Sequence, residues 1–271
     1  TDIADEQFAL TARPAWTAHT SKGGSLTISG NTVSGNDAEG NAYQMAFDNS
    51  GKMTVWTYAG KQILHTNANG TIASGAAPDF NSCRNIDNDK ESTGTANVGC
   101  VNSSSTKIIK ALTKDEASGC ATMTVQGNAK NCQYTIRYTF YPDATVDMKT
   151  TFSPSGATRR LGLGLQLAPG FENVEFYARG PRSNYSDRKT GSYLGRFTTT
   201  VDDMVEEQIH PQTYGDHEDL RELLLSNKEE GLTLIVQVDG KASFSLSHFD
   251  ESKWIEAVSY THLRAHETCA D

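Results

Sequence analysis

The stretch QYTIRYTF at residues 133–140, followed by YPDA at 141–144 and TVDMKTTF at 145–152, decides the fold class. In the two outer runs apolar residues alternate with polar residues, which is the period of a half-buried strand. The Pro-Asp pair between the runs is typical of a tight turn. The stretch therefore predicts a hairpin of two antiparallel strands.

The same alternation recurs along much of the chain. A strand is predicted over 53–58 after the turn signal DNSG at 48–51, and another over 160–167, where four leucines are expected to share one face. Further strands are predicted over 174–177, 220–225, 232–238 and 243–247. Loops are predicted where Gly, Asn, Ser and Thr crowd, at 20–41, 65–79 and 92–106. The sequence shows no helical period of useful length, so the pattern predicts an all-β, antiparallel sandwich.

Composition and charge exclude several classes of protein. The 271 residues include 24 Lys and Arg against 33 Asp and Glu, for a net charge of −9, which argues against a nucleic-acid partner. No stretch approaches the roughly 20 apolar residues that a membrane span needs. Because the chain begins at Thr1 and not at a Met, we expect it to be a piece of a longer protein. Its localisation is left open, with a periplasmic or secreted bacterial protein favoured over a cytoplasmic one.

The cysteines leave two interpretations open. There are five, none in a C-x-x-C spacing: Cys83, Cys100, Cys120, Cys132 and Cys269. In an exported protein the first four form an even set that could pair. The alternative is four unrelated thiols, buried or half-buried.

The residues themselves predict no catalytic or metal site. A glycosidase needs two carboxyl groups roughly 5–10 Å apart across a sugar. Adjacent acids on a strand point to opposite faces, so we interpret the doublets as solvated edges. The doublets are Glu206–Glu207, Glu218–Asp219 and Glu229–Glu230. The run at 87–91 begins like a calcium loop, but Ser92 and Val98 stand where Gly and Glu are required. Before residue 258, no two histidines have the H-x-H or H-x-x-x-H spacing of zinc ligands. These features favour a β-rich accessory or binding domain.

The stretch PGFENVEFYARGPRSNYSDR at 169–188 resembles the G-P-x-E-N-Y-x-D-R segment of glycoside hydrolase family 2 β-galactosidases, in their C-terminal small-chain domain. Other blocks occur in the family's order, with Ser183 in place of its usual Glu. They are PDFNSCRNIDND at 78–89, RLGL at 160–163 and HPQTYGDHEDLR at 210–221.

The resemblance implies a large antiparallel β-supersandwich of the galactose mutarotase type. Residues 1–12 resemble the end of a preceding immunoglobulin-like domain, and 13–257 a truncated small-chain domain. Residues 258–271 look like translated sequencing adapter, so we expect them to be a non-native tail.

The resemblance also implies a function. The family's two catalytic glutamates lie in a central barrel that is not part of this chain, so no catalytic residue is carried over and this chain alone is predicted to be inactive. In the family the domain walls the active site, and the loop after its D-N-D motif lies near the substrate. That loop maps onto residues 90–94, and the residues expected near the substrate are Asp87, Asn88, Asp89, Lys90 and Glu91.

The G-P-x-x-N-Y-x-D-R motif has two interpretations. One is a structural turn stapled by Asp187 and Arg188; the other is contact with the barrel or an adjacent subunit. The motif residues concerned are Gly180, Pro181, Asn184, Tyr185, Asp187 and Arg188.

The expected partners are the remaining domains of the longer enzyme, a β-galactoside substrate and a second copy of the chain, with no nucleic acid and no membrane. No cofactor is expected in this chain, and any metal ion of the longer enzyme is expected in its other domains. Two alternatives stay open. One is an aldose 1-epimerase-like enzyme with converging His and Glu residues. The other is a galactoside-binding module in which Trp16, Trp56 or Trp254 stacks on sugar.

Overall fold

The computed structural model describes residues 17–84, 101–156, 158–206 and 212–248. Over these ranges every strand pairing is antiparallel, and the helical structure consists of one 3-10 turn at Asp202–Met204. The prediction of an all-β, antiparallel chain is therefore confirmed. The strands are β1 (Ser25–Ser29), β2 (Thr32–Asn36), β3 (Ala42–Phe47), β4 (Met53–Tyr58), β5 (Lys61–Gln62), β6 (Asp79–Asn81), β7 (Ser105–Lys114), β8 (Ala121–Ala129), β9 (Cys132–Phe140), β10 (Val146–Pro154), β11 (Gly162–Gly164), β12 (Asn173–Gly180), β13 (Tyr193–Thr200), β14 (Glu222–Asn227) and β15 (Leu232–Gln237).

The described residues fall into two compact units. The first unit contains residues 19–84 and 101–168 and is built from a five-stranded sheet, in the order β1-β2-β3-β4-β5, and a four-stranded sheet, in the order β10-β9-β8-β7. The two sheets meet through aromatic rings, because Phe47 on β3 lies 5.2 Å from Tyr138 and 5.9 Å from Phe140 on β9. The first unit is therefore an antiparallel sandwich.

The hairpin that decided the fold class forms as predicted. Strands β9 and β10 pair without interruption from Cys132 opposite Pro154 to Phe140 opposite Val146. Along β9 burial alternates, with Tyr134 and Tyr138 each 2% exposed, while Arg137 between them faces solvent. Alternation in the sequence thus becomes an inner apolar face and an outer polar face.

Two local predictions were wrong. The segment 20–41, expected to be a loop, contains strands β1 and β2, because single apolar residues such as Leu26 and Val33 are enough to anchor them in the core. The strand expected over 160–167 shortens to β11, whose partner β6 is only three residues long. Two of its four leucines, Leu161 and Leu165, lie outside β11 and are 37% and 41% exposed.

The second unit contains the described residues from 169 onward, with 17 and 18, and forms a four-stranded sheet in the order β13-β12-β14-β15. Buried and half-buried residues alternate along β12, where Val174, Phe176 and Ala178 belong to the core of this unit. The strands predicted over 174–177 and 232–238 are confirmed, and that over 220–225 begins two residues later, at Glu222. The strand expected over 243–247 is reduced to a single bridge between Phe244 and His217.

The cysteines divide into two groups. Cys83 is disulfide-bonded, so the interpretation of four unrelated thiols was wrong for this residue. Cys120 and Cys132 are free thiols, the first half-buried and the second buried. Cys100 lies outside the described residues. None of the helical structure in the described ranges is long and apolar enough to cross a bilayer.

Candidate functional site

The motif at 179–188 lies in a cluster of loops at one end of the second unit's sheet. Strand β12 ends at Gly180, which is joined to Pro181 by a cis peptide bond. A Cβ atom on Gly180 would stand 2.8 Å from a ring carbon of Phe197. A side chain at this position would therefore force the aromatic ring to shift, because the ring packs directly on the backbone.

Asn184 is completely buried and joins the motif to the block at 212–221. Its Nδ2 atom donates hydrogen bonds to the carbonyl oxygens of Arg179 (2.9 Å) and Arg182 (3.1 Å). Its Oδ1 atom accepts one from the backbone N–H of Glu218 at 3.0 Å, and its own N–H donates to the carbonyl of Asp216 at 2.7 Å. Each polar atom of the amide is thus satisfied by backbone, as a buried polar side chain requires.

The next four residues form a tight turn. The backbones of Tyr185 and Arg188 exchange two hydrogen bonds, of 3.3 and 2.9 Å. The guanidinium of Arg188 lies 5.3 Å from the centre of the Tyr185 ring and donates to the hydroxyl of Ser183 at 3.0 Å.

The expected pair between Asp187 and Arg188 is not among the ion pairs of the described residues. Arg188 is directed toward the Tyr185 ring and Ser183, and Asp187 is exposed to solvent. The turn is therefore held by its backbone and by the tyrosine. The tyrosine hydroxyl in turn donates to the carbonyl of Thr213 at 3.4 Å.

Ion pairs connect the end of β12 to the block at 212–221. The Nε atom of Arg179 donates to Asp219 at 2.9 Å, and Lys189 lies 3.1 Å from Glu218 and 3.8 Å from Asp219. Partial burial alone would raise the pKa of Asp219. The hydrogen bond from Arg179 and the charges of Lys189, Arg179 and Arg221 outweigh it, so this pKa lies below its usual value. The Glu218–Asp219 doublet is therefore an ion-paired, half-buried element, and our interpretation of it as a solvated edge was wrong.

A buried histidine completes the cluster. His217 is 3% exposed, stacks on Phe244 with ring centres 5.2 Å apart, and packs against Phe176 at 4.7 Å. Burial lowers its pKa, although the hydrogen bond to the carbonyl of Arg179, at 3.0 Å, works in the opposite direction. The imidazole is therefore neutral near pH 7 and donates through Nδ1. It supports the loop and is not placed as an exposed acid or base.

Sequence reasoning placed six residues in this motif but missed three that organise it: Arg179, His217 and Asp219. Their partners are 13 to 40 residues away along the chain, so no local pattern marks them. The only available signal was that both blocks carry family-like motifs.

The other site predictions have different outcomes. The predicted substrate-proximal residues Asp87, Asn88, Asp89, Lys90 and Glu91 lie outside the described residues. Trp56 is 8% exposed in the core of the first unit and is not presented for stacking on sugar, while Trp16 and Trp254 lie outside the described ranges. Within those ranges no group of three or more His, Cys, Asp or Glu side chains is arranged to hold a metal ion.

Comparison with known proteins agrees with the motif blocks. The family model described as "Beta galactosidase small chain" matches residues 39–270. A beta-galactosidase of Staphylococcus xylosus is 34% identical over 140 residues, which are 52% of this chain and 13% of that protein. Beta-galactosidases of Halalkalibacterium halodurans and Vibrio cholerae are 26% and 31% identical over 46% and 43% of the chain.

These alignments span 14% and 11% of the length of the latter two relatives. The chain thus corresponds to a small part of each relative that it matches. Because the family match extends over most of its length, the chain belongs to the beta galactosidase small chain family.

Proposed function

We propose that this chain is a noncatalytic domain of a longer β-galactosidase that hydrolyses terminal β-galactosides, where it walls the active site and supports assembly. The observation that carries the proposal is the family match over residues 39–270, in a chain that spans only 11–14% of three beta-galactosidases. The catalytic carboxylates are proposed to lie in the barrel of the longer enzyme.

The motif cluster supports a scaffolding role. Retaining hydrolysis needs one carboxylate as nucleophile and a second as acid and base. In the cluster Glu218 and Asp219 are held by Lys189 and Arg179, and His217 is buried and neutral. These groups therefore fix the ends of the strands and are not available for proton transfer to a sugar.

This domain is proposed to contribute to turnover through the loop after Asp89. In the longer enzyme that loop would close one side of the substrate pocket. A wall of this kind acts by positioning the substrate, and small errors in position are costly in rate. We expect the barrel-containing remainder to be weakly active alone and to gain activity when this domain is added.

The test compares hydrolysis of a chromogenic β-galactoside by the remainder, by this chain and by their mixture. The chain alone should leave the substrate intact, and the mixture should exceed the remainder. Shortening the loop at 90–94 should reduce the gain while circular dichroism of the chain stays unchanged. Turnover by the chain alone, or no gain despite association shown by gel filtration, would contradict the proposal.

Two further measurements separate the alternatives. Catalysed interconversion of galactose anomers, followed by polarimetry, would support an aldose 1-epimerase-like enzyme instead. Heat released on titrating the isolated chain with lactose would support a galactoside-binding module.

A further inference from the structure

The four-stranded sheet of the first unit has a polar outer face. Tyr134, Ile136 and Tyr138 on β9 point into the core, so the residues between them point outward. On the neighbouring strands, the residues directly opposite these outward-facing positions also face outward, so the outer face consists of rows that run across the sheet. We call two adjoining rows the polar sheet face: Lys110, Thr124, Arg137 and Lys149 in one row, and Lys107, Gln126, Thr135 and Thr151 in the next.

Four cations stand on this face without a matching acid. Arg137 on β9 is directly opposite Lys149 on β10, and Lys110 lies on the same row beyond Thr124. Lys107 is in the adjoining row, and all four side chains are exposed. None of them belongs to an ion pair among the residues the structure describes. An acid on the next row, Asp147, accepts a hydrogen bond from the hydroxyl of Tyr141.

This arrangement is unfavourable for the isolated chain. Neighbouring strands are about 4.8 Å apart, so Arg137 and Lys149 face each other at close range. Like charges directly opposite on adjacent strands destabilise a sheet. The cations also form a positive patch on a protein of net charge −9, which raises the local concentration of anions. An anionic partner would remove the repulsion.

The chemistry between the cations indicates which partner. The positions between them hold Thr and Gln, whose hydroxyl and amide groups pair with sugar hydroxyls. Neither row contains an aromatic residue or a Met, the residues that anchor protein interfaces. Along the row the cations are one and two strand spacings apart, about 4.8 and 9.6 Å, which suits anionic groups on successive sugars of an extended chain.

We propose that the polar sheet face binds a linear anionic polysaccharide, whose acidic groups lie on Arg137, Lys149 and Lys110 and whose hydroxyls lie on the intervening Thr and Gln. The four cations of the polar sheet face attract anions whatever reaction the longer enzyme catalyses. Only the choice of a galactan as the probe rests on the proposed function.

The test uses the full 271-residue chain and calorimetric titration at about 50 mM salt, where electrostatic binding is strongest. The probes are a sulfated galactan, its desulfated form and polygalacturonate. The sulfated galactan, the polyuronate or both should bind, with affinity falling as salt is raised. The desulfated galactan should not bind. Binding of only one anionic probe supports the proposal and identifies sulfate or carboxylate as the group recognised.

The variant is the pair Arg137→Gln and Lys149→Gln, and its matched control is Lys228→Gln with Lys241→Gln, two exposed lysines of the second unit. The first pair should weaken anionic binding about tenfold or more and flatten its salt dependence, whereas the control should change affinity less than about twofold. Because the variant removes a like-charge pair, its urea midpoint should not fall, which separates lost binding from lost folding.

Four results would overturn the proposal. They are no binding of either anionic probe at low salt, equal binding of the desulfated galactan, an equal loss in the control pair, and binding of duplex DNA as tight as that of the anionic polysaccharide. If the barrel-containing remainder associates with the chain and the Arg137/Lys149 variant abolishes that association, the face is a domain interface instead. Failure of the galactoside assay with polysaccharide binding intact would reject the proposed function and leave this inference standing.

Discussion

The Oδ1 atom of Asn184 accepts a hydrogen bond from the backbone N–H of Glu218 at 3.0 Å, which ties together two motif blocks 34 residues apart. The same side chain donates to two carbonyl oxygens of its own block. One buried amide therefore fixes the position of one loop relative to the other.

Replacing Asn184 by Ala should destabilise the second unit by about 1–3 kcal/mol, because three backbone groups lose a hydrogen bond at once and, among the described residues, only the carbonyl of Arg179 keeps another, from His217. The measurement is urea unfolding of the full chain. Asn102, which is exposed, provides the control: Asn102→Ala should change the free energy of unfolding by less than about 0.5 kcal/mol. Equal effects of the two substitutions would show that the Asn184 amide does not hold the blocks together.

The substitution Gly180→Ala should cost about 1–3 kcal/mol, because the added methyl group would stand 2.8 Å from the Phe197 ring and force it to shift. Gly156 is the matched control, since a Cβ there meets nothing within 4 Å. Thermal unfolding of the two variants measures the difference. A midpoint for Gly180→Ala equal to that of Gly156→Ala would contradict the packing described.

Asp219 should make stability depend on pH in the acid range. Its pKa is lowered in the folded state, so its contribution is complete above the ordinary value of 3.8 and is lost as pH falls through the folded pKa. Asp219→Asn should therefore flatten the decline of unfolding free energy as pH is lowered below about 5. Asn also tolerates the left-handed backbone at this position, where φ is +59°, so the backbone is not the cause of any change. If the free energy of unfolding falls equally steeply with decreasing pH in Asp219→Asn and in the wild type, the Arg179–Asp219 pair does not contribute to stability.

Reversing one charge on the polar sheet face should stabilise the isolated chain. Lys149→Glu converts the repulsion with Arg137 into a cross-strand attraction, with an expected gain of about 0.2–1 kcal/mol. The gain should shrink as salt screens the pair. The control Lys228→Glu makes the same charge change in the second unit, and an equal shift in melting temperature there would indicate a net-charge effect only.

The thiols should differ in reactivity. An alkylating reagent added to the native chain should modify Cys120, which is half-buried, well before Cys132, which is buried. Cys83 should be modified only after reduction. Peptide mapping by mass spectrometry identifies each site, and modification of Cys83 without reductant would contradict its disulfide.

The sequence predicted those parts of the fold in which local pattern and burial coincide. Strands β9 and β10 were predictable because the alternation is unbroken and the turn between them is short. Strands β1 and β2 were missed because their few apolar residues, such as Leu26 and Val33, stand in a segment crowded with Ser, Thr and Gly, a composition typical of loops. The run of leucines at 161–167 misled for the converse reason, since a strand continues only as far as its partner does.

The residues of the candidate site could be predicted from the motif, but their contacts could not. Asn184 and Tyr185 were identified through the resemblance to the family. No periodic pattern in the local sequence predicts their position in the cluster. The contacts that define their role come from Thr213, Asp216 and Glu218, which are brought close by the sheet. Pairing across tens of residues is fixed by tertiary structure, and no alternation in a single segment encodes it.

The bond between Asn184 and Glu218 also has a kinetic consequence. A hydrogen bond between two loops makes their opening one cooperative event, so neither loop can fray alone without exposing buried groups of the other. The amide hydrogens of Asn184 and Glu218 are donated to Asp216 and to Asn184, respectively, and should exchange with solvent deuterium at a common rate. A protease or a chaperone would then encounter this end of the domain in two states only, with both loops closed or both open.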